Sequence, residues 1–287
     1  MNGKLPKVIV VAGVTASGKS DFAAELALKC NGEIISADSR QVYKDLDIGT
    51  GKITEKEMRD VPHHMLSVYD LDEEVSVARF ARDASPIVRD ILTRGKTPII
   101  CGGTGQYIDA LIFDTPIPEV PPDQILRNEL EALDTESLVE RLRTADPDRL
   151  AAIDAHNRVR LIRALEITTH VGKVPPLPKP HFVYDVDFYL MHIERTYLKT
   201  RVEKRLEKRL GLGMIEEVQQ IMKRGYSHEA MKKFGLEYVC IGKYLEGRLT
   251  LEEMKEDLIR MTMRYAKRQV TWNKKYLPYA QIIEVTH

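Results

Sequence analysis

The stretch that decides the fold is Lys7-Val-Ile-Val-Val-Ala12, followed at once by Gly13-Val-Thr-Ala-Ser-Gly18-Lys19-Ser20. The first six residues form an apolar, mostly β-branched run, which is typical of a buried parallel strand. The next eight match the phosphate-binding pattern G-x-x-x-x-G-K-[ST]. A helical pattern follows, from Lys19 to about Lys29. Because a strand before the loop and a helix after it are what phosphate binding requires, we predict a P-loop and not a plain glycine-rich turn.

A P-loop binds phosphate because its backbone N–H groups face inward and the helix N-terminus adds partial positive charge. Lys19 is expected to neutralise phosphate oxygens, and Ser20 to offer its hydroxyl to Mg²⁺. None of the apolar strands ends in an unambiguous aspartate, as a nucleotide kinase or hydrolase would require. The phosphate that binds here could therefore belong to a leaving group, and not to a nucleotide that is cleaved. The residues predicted to bind it are Gly13, Thr15, Ala16, Ser17, Gly18, Lys19 and Ser20.

Strand and helix patterns alternate along the N-terminal part of the chain. Short apolar runs predict strands at 33–36 and 97–101, with a helix at 75–94 between them. This rhythm indicates a parallel sheet flanked by helices, that is, a P-loop NTPase-like α/β fold. A further strand is predicted at 187–192, and the pattern is helical from there to about Lys275.

Eight of the 14 prolines fall in two clusters that mark boundaries, Pro116 to Pro122 and Pro175 to Pro180. Proline fixes φ and lacks an N–H, so such clusters form extended connectors. The segment between them has a helical pattern and no obvious strand. We interpret 119–180 as an all-helical insertion domain in a discontinuous core of 1–118 and 181–287. The alternative is two proline-rich loops within one compact domain.

Composition excludes two classes of protein. Hydrophobic residues make up 43% of the 287 and charged residues 30%, which is ordinary for a globular protein and not for a disordered one. No apolar run approaches the roughly 20 residues of a membrane-spanning helix. The N-terminus shows no signal-peptide pattern, and the three cysteines are too scattered for a disulfide or zinc framework. We therefore expect a cytoplasmic protein that does not bind membranes.

Charge is balanced overall, with 43 basic and 43 acidic residues, but not locally. Between Arg195 and Lys275 there are 20 basic and 11 acidic residues, and between Glu119 and His170 there are 7 and 11. A charge run is most often a solvated helix face. The basic C-terminal region also suits an anionic partner.

Two loops that follow predicted strands carry candidate catalytic residues. Asp38 follows the 33–36 strand, and Thr104 lies in the Gly102-Gly-Thr-Gly105 turn after the 97–101 strand. Ligands of α/β sheets bind outside the carboxyl ends of the strands, so both are expected near the P-loop. Asp38 could accept a proton, or could cap a following helix. Thr104 could donate a hydrogen bond, although such glycine-rich turns are common.

Basic residues near the C-terminus are open to two interpretations. Arg201, Arg205 and Arg209 share one helix face, which could clamp a pyrophosphate group or could simply be solvated. Tyr265 and Trp272 lie among basic residues, as in surfaces that stack bases, but their spacing also fits a core stripe. The pair at 63–64, two histidines, lacks a third metal ligand and is interpreted as structural.

Taken together, these motifs resemble those of one family, the tRNA dimethylallyltransferases or isopentenyltransferases. The resemblance covers nearly the whole chain, in the order of the family. The matching segments are GVTASGKS at 13–20, SADSRQVYKDLDIGTGK at 36–52, VPHHM at 61–65, GKTPIICGGTGQY at 95–107, RLIRALEI at 160–167, GLEYVCIGKYLEG at 235–247 and RYAKRQVTW at 264–272.

The resemblance implies transfer of a dimethylallyl group from dimethylallyl diphosphate to N6 of the adenosine just 3′ of the anticodon. It implies that the P-loop, Arg201 and Arg205 bind the diphosphate, with Mg²⁺ between that group and Ser20. Asp38 matches the family's general base. Thr104 matches the threonine of its GGT motif, and both face the reacting amine. With Lys19, these two make up the predicted catalytic set.

The resemblance also implies contacts between the insertion and the anticodon stem-loop of tRNA, with the target base flipped out. The chain departs from the family at 153–157, where Ile-Asp-Ala-His-Asn stands for the usual Ile-His-Pro-Asn-Asp, and at Asn273, where an aromatic residue is common. A monomer is expected. The residues predicted to contact tRNA are Asp38, Ser39, Arg40, Gln41, Thr104, Arg127, Arg160 and Arg163.

Three alternatives remain beside this prediction. An adenylate isopentenyltransferase would act on free AMP, ADP or ATP, but the helical insertion and the SADS spelling at 36–39 favour tRNA. A small-molecule kinase would need a carboxylate at a strand end and a mobile arginine lid. A non-catalytic RNA-binding module would not need Lys19, Ser20 and Asp38 together.

Overall fold

The fold is built on one six-stranded parallel sheet. A computed structural model describes residues 5–114, 116–118, 120–175 and 181–286. Within these residues the strand order is β3-β2-β4-β1-β5-β6, and all the neighbouring strands are parallel. This confirms the predicted α/β class. The strands are β1 (Lys7–Gly13), β2 (Gly32–Ser36), β3 (His63–His64), β4 (Thr97–Gly102), β5 (Asp185–Ile193) and β6 (Ala280–Val285).

Helices cover the sheet and form the segment between β4 and β5. Several begin at a side-chain cap that the sequence supplies, such as the capping box of Thr54 and Glu57 or that of Thr250 and Glu253. The described helices are α1 (Lys19–Cys30), α2 (Glu55–Met58), α3 (Val77–Thr93), α4 (Gly105–Ile112), α5 (Gln124–Glu131), α6 (Thr135–Ala145), α7 (Pro147–Ala152), α8 (Arg158–Val171), α9 (Arg195–Gly211), α10 (Met214–Lys223), α11 (His228–Met231), α12 (Leu236–Leu245) and α13 (Leu251–Asn273), with a 3₁₀ turn at Lys274–Tyr276.

The central strand β1 sets the geometry of the site. Its residues from Val8 onward are buried, as expected of a strand covered on both faces. Val11 lies beside Cys101 of β4 in the parallel register, and Ser36 of β2 lies on the other side of Cys101. The three strands therefore end at the same edge of the sheet. That edge carries the P-loop, the loop that begins at Ala37 and the Gly103 turn.

The chain divides into two compact units, each with its own core. Unit 1 comprises 1–75, 79–112 and 182–287, and unit 2 comprises 76–78 and 113–181. In unit 2, α5 to α8 enclose a cluster that includes Leu138, Leu142 and Leu161, all fully buried. The sequence predicts this insertion at 119–180, between proline connectors. The first residue of this range, 119, and three of the connector prolines, Pro176, Pro178 and Pro180, lie outside the described residues.

Two strands escaped prediction. β3 has only two residues, and β6 lies after the helical stretch that was predicted to end near Lys275. Both are edge strands, where few backbone groups pair and the apolar signal is weak. Over the described part of the chain, no helix has both the length and the hydropathy needed to cross a membrane.

Candidate active site

A large cavity of about 1080 Å³ opens at the carboxyl edge of the sheet in unit 1. The P-loop lines one side, and the loop at 36–41 and the loop at 47–54 line others. Helices α9 and α13, and the segment from 232 to 239 that includes the start of α12, contribute further parts of the wall. The cavity is therefore at the position expected for ligands of an open parallel sheet.

The P-loop has the geometry of an anion site. Gly18 precedes α1 with φ +86°, a left-handed conformation that disfavours other residues. Gly13 is closely packed, since a Cβ there would lie 2.8 Å from both Met191 Cβ and Ser17 Oγ. Ser17 Oγ is buried and lacks a hydrogen-bond partner within the described residues. The loop is thus tightly wound at the open N-terminus of α1.

Lys19 extends along this loop, and Nζ donates to the Val14 carbonyl at 3.3 Å. Burial lowers the pKa of Lys19, although Cys101 and Asp38 act in the opposite direction. An ammonium group that has lost water favours an anionic partner, because the anion restores the stability of the charged form. Lys19 therefore occupies a place where a phosphate would be bound.

Three arginines of α9 line the cavity, two of them bonded to the P-loop and the third to the loop at 47–54, so this face is not simply solvated. Arg201 Nε donates to the Ala16 carbonyl at 2.8 Å, and Arg205 Nη1 lies 3.4 Å from Thr15 Oγ1. Arg209 Nη1 donates to the Gly49 carbonyl at 3.2 Å, while its Nη2 is buried without a partner within the described residues.

Two of these guanidinium groups lie where their charged form is disfavoured. Burial, and then the charge of Arg209, lower the pKa of Arg205 to about 10. Burial also lowers the pKa of Arg209, which is partly offset by Glu237 at 3.4 Å. Together with Lys19, the arginines form a basic wall that suits a multiply charged anion.

The loop at 47–52 is held rigidly against this wall by Glu217, which the sequence analysis missed. One carboxylate oxygen of Glu217 accepts N–H groups of Asp47 and Ile48 at 3.0 and 2.7 Å, and the other accepts that of Gly49 at 2.9 Å. Tyr238 also donates its hydroxyl to Glu217, at 2.7 Å. This role is visible only in the structure, because Glu217 is far from the loop in the sequence.

Asp38 lies at the cavity on the turn that follows β2. Its Oδ1 accepts the N–H groups of Arg40 and Gln41 at 2.9 and 3.3 Å. The carboxylate therefore caps a turn, and not a following helix as the alternative interpretation held. Because both of these bonds use Oδ1, and no partner among the described residues bonds Oδ2, the cap does not exclude a second role as a base.

Thr104 joins the turn after β4 to the Asp38 turn. Its Oγ1 accepts the N–H of Ser39 at 3.1 Å and lies 3.4 Å from Ser39 Oγ. Gln41 donates to the Gly51 carbonyl at 3.2 Å, and Arg40 donates to the Lys233 carbonyl. These predicted tRNA-contacting side chains therefore have internal partners that fix the loop.

Ser20 lines the same cavity as Asp38, whose carboxylate offers further oxygen ligands. Ser20 is exposed, and no partner among the described residues bonds its hydroxyl. Oxygen donors beside a phosphate site are what Mg²⁺ prefers. These residues fit the ion, although no protein cluster of three or more acidic, histidine or cysteine side chains is found in the described chain.

Arginines of unit 2 pair with a buried carboxylate. Glu166 is 0% exposed, and Arg127 binds it in bidentate fashion at 2.8 and 3.0 Å. Arg163 donates to the same carboxylate and, at 2.8 Å, to the Val120 carbonyl. Arg160 is exposed and makes no such pair. Of the three arginines of unit 2 that are predicted to contact tRNA, Arg160 thus has a guanidinium group with no partner among the described residues.

The aromatic residues near the C-terminus serve unit 1 in different ways. Tyr265 lines the cavity, and burial raises its pKa to about 12. Trp272 is half-buried and packs on Gly105, where a Cβ would lie 2.0 Å from Nε1, so it supports the turn after β4. His64 pairs with Glu33 at 2.8 Å and His63 with the Val61 carbonyl at 2.8 Å, in agreement with a structural role.

Comparison with known proteins gives consistent matches. The model of the family described as IPP transferase matches residues 41–276. The tRNA dimethylallyltransferase 1 of Citrifermentans bemidjiense is 41% identical over 271 residues, 93% of this chain and 88% of that protein. The tRNA dimethylallyltransferase of Pelotomaculum thermopropionicum is 39% identical over 282 residues, 96% of this chain and 90% of that one.

Solved structures agree with the sequence matches. The full-length tRNA isopentenylpyrophosphate transferase of Bacillus halodurans superposes with a TM-score of 0.73 at 36% identity, covering 99% of this chain and 91% of that one. A eukaryotic dimethylallyltransferase, described in crystallographic snapshots as acting on tRNA, gives 0.85 at 29% identity, covering 98% and 74%.

Proposed function

The chain belongs to the IPP transferase family, and we propose that it transfers the dimethylallyl group of dimethylallyl diphosphate to tRNA. The acceptor is N6 of the adenosine immediately 3′ of the anticodon, and the products are N6-dimethylallyladenosine and diphosphate. The observation that carries the proposal is the single cavity at which the basic wall and Asp38 meet.

The leaving group is stabilised by the basic wall. As the bond between the allylic carbon and the diphosphate oxygen breaks, negative charge builds on the diphosphate. Lys19 and Arg205 are desolvated beside the P-loop, and the half-buried Arg201 bonds the Ala16 carbonyl of that loop, so such charge is stabilised there more strongly than in water. Arg209 adds a donor that has no other partner within the described residues. In this proposal the P-loop binds the diphosphate leaving group, and it does not cleave a nucleotide.

The acceptor amine is a weak nucleophile because its lone pair is delocalised into the adenine ring. Its nitrogen forms the new bond to the allylic carbon, and Asp38 accepts the proton that the nitrogen loses. Thr104 holds the Ser39 amide and so keeps the Asp38 turn in place. Mg²⁺ bound at Ser20 would supply positive charge to the diphosphate oxygens.

The acceptor is proposed to be the anticodon stem-loop, as in the relatives named for tRNA. Transfer to free AMP, ADP or ATP is not favoured, because the matched relatives and the eukaryotic structure act on tRNA by name. The three free cysteines support a reducing compartment, so the cytoplasm is the proposed location. A monomer is the proposed form.

The test is transfer of radiolabelled dimethylallyl diphosphate, with Mg²⁺, to unmodified tRNA that has adenosine 3′ of the anticodon. Free AMP and ATP serve as parallel acceptors, and tRNA with guanosine at that position is the matched control. We expect label in the adenosine-containing tRNA alone. Label in AMP or ATP but not in tRNA would contradict the proposal, as would ATP turnover on a small alcohol with no label transferred.

A further inference from the structure

Gln269 of α13 connects the two halves of the cavity. Its Oε1 accepts the N–H of Thr15 in the P-loop at 2.9 Å, and its Nε2 donates to the Gly103 carbonyl at 3.0 Å. The side chain is 6% exposed, so neither bond is exchanged freely with water. One amide group therefore bonds both the loop that would hold the diphosphate and the turn that carries Thr104.

The two contacts specify an amide and no other side chain of that size. The Thr15 N–H can only donate and the Gly103 carbonyl can only accept, so the partner must present one acceptor and one donor side by side. A glutamate would set a carboxylate oxygen against the Gly103 carbonyl. The fit is close, since a Cβ on Gly103 would lie 2.4 Å from Gln269 Nε2.

The Gly103 turn is also fixed on its other side by the C-terminal end of the same helical segment. Tyr276 donates its hydroxyl toward Asp109 at 2.6 Å and lies 3.2 Å from the Gly105 carbonyl. Trp272 packs against Gly105. Ala266 of α13 also shares a buried apolar cluster with Val14 of the P-loop. Gln269, however, hydrogen-bonds both loops, so movement of one loop would be passed to the other through this side chain.

We infer that Gln269 is a positioning residue that sets the distance between the allylic carbon and the acceptor amine. The inference rests on the proposed function. Thr15 would carry the diphosphate end, and the Thr104 and Ser39 pair would carry the amine end through the Asp38 turn. A shift of about 1 Å between reacting groups can cost about 10²-fold in rate.

The test compares Gln269→Glu and Gln269→Leu with Asn273→Ala, a buried polar residue one helical turn further along α13. Steady-state transfer to tRNA gives kcat and the KM for dimethylallyl diphosphate, and thermal unfolding gives Tm. Both Gln269 variants are expected to lose about 10²-fold in kcat. Their KM should stay within about threefold, because the lysine and arginine contacts remain, and Asn273→Ala should keep kcat.

Three results would overturn the inference. The first is a wild-type kcat in Gln269→Glu. The second is an increase in KM that accounts for the whole loss of activity, and the third is a loss of kcat that Asn273→Ala shares at equal Tm. If the wild-type chain transfers no label to tRNA, it is the proposed function that has failed, and that result is seen before any variant is compared.

Discussion

Asp38 has a structural task in the turn, and a role as general base is proposed for the same carboxylate. Oδ1 fixes the turn through the N–H groups of Arg40 and Gln41, so Asp38→Ala would remove the turn and the base together. Asp38→Asn separates the tasks, because an amide oxygen can still accept both N–H groups. We expect Asp38→Asn to lower kcat for transfer by about 10²–10⁴-fold, as removal of a general base does.

The measurement for Asp38→Asn is single-turnover transfer together with tRNA affinity in a filter-binding assay. tRNA affinity should change little, because a turn with its hydrogen bonds intact keeps Ser39 and Arg40 in place. Asp21→Asn is a matched control, since Asp21 also lines the cavity but is exposed in the first turn of α1. An unchanged rate in Asp38→Asn would remove Asp38 as the base.

At the scale of elements, the loop at 47–52 depends on Glu217 of α10. Every group that bonds this carboxylate is a donor, namely three backbone N–H groups and the Tyr238 hydroxyl. A glutamine at this position would place its NH₂ group, itself a donor, opposite one of these donors, and that hydrogen bond would be lost. We expect Glu217→Gln to lower the free energy of unfolding by about 2–4 kcal/mol, since hydrogen bonds to charged groups contribute about 1.5–3 kcal/mol each.

Denaturant unfolding measures this effect, and Glu216→Gln at the preceding, exposed position of α10 is the control. Glu217→Gln should also raise the KM for dimethylallyl diphosphate, because Arg205 and Arg209 donate hydrogen bonds to carbonyls of this loop. Equal stability of the two variants would mean that the loop does not need the carboxylate.

The same element shows where sequence prediction ends. The strand runs and the P-loop pattern predicted the parallel sheet and the place of Lys19, because periodicity and loop chemistry are local. Glu217 lies 168 residues from Gly49, and Gln269 lies 254 residues from Thr15. No local pattern marks such pairs, since their meaning depends on the fold that brings them together. The sheet could therefore be predicted, but the supports of the site could not.

Helix α8 shows the same limit for surface charge. Arg160 and Arg163 appear equivalent in the sequence, yet Arg163 pairs with buried Glu166 and Arg160 is exposed. Burial raises the pKa of Glu166. Hydrogen bonds from Arg127, the Asp123 amide and Arg163 together lower it by more, so the pKa lies below its usual value. The stability of this pair is present at neutral pH and is lost as pH falls from about 4.5 through the folded-state pKa.

Substitution should separate the two arginines. Arg163→Ala is expected to lower the free energy of unfolding of unit 2 by about 1–3 kcal/mol, because a buried carboxylate loses one partner. Arg160→Ala should leave stability within about 0.5 kcal/mol. Its predicted effect is weaker tRNA binding and a salt dependence that is flatter by about 0.7–0.9 in log–log slope. Unchanged binding and slope in Arg160→Ala would contradict contact with tRNA at this position.

On the scale of the whole molecule, the fold of unit 1 does not depend on unit 2. The Val183 N–H donates to the Ile112 carbonyl at 3.0 Å, so the chain leaves unit 1 and returns to it at neighbouring points. The buried clusters are separate as well, since the apolar core of unit 2 lies wholly within 120–174. A chain with 113–181 replaced by a short glycine-serine link is therefore expected to fold.

The shortened chain tests which unit recognises RNA. All the residues that line the cavity belong to unit 1, so the variant should bind dimethylallyl diphosphate with an affinity within about threefold of the full chain, about 0.65 kcal/mol. Transfer to tRNA should fall by at least about 10²-fold, since insertion contacts that orient the acceptor would be lost. Circular dichroism and calorimetric titration establish folding and binding before transfer is measured. If the shortened chain folds, binds the donor and still modifies tRNA at the full rate, recognition of the anticodon stem-loop would have to reside in unit 1.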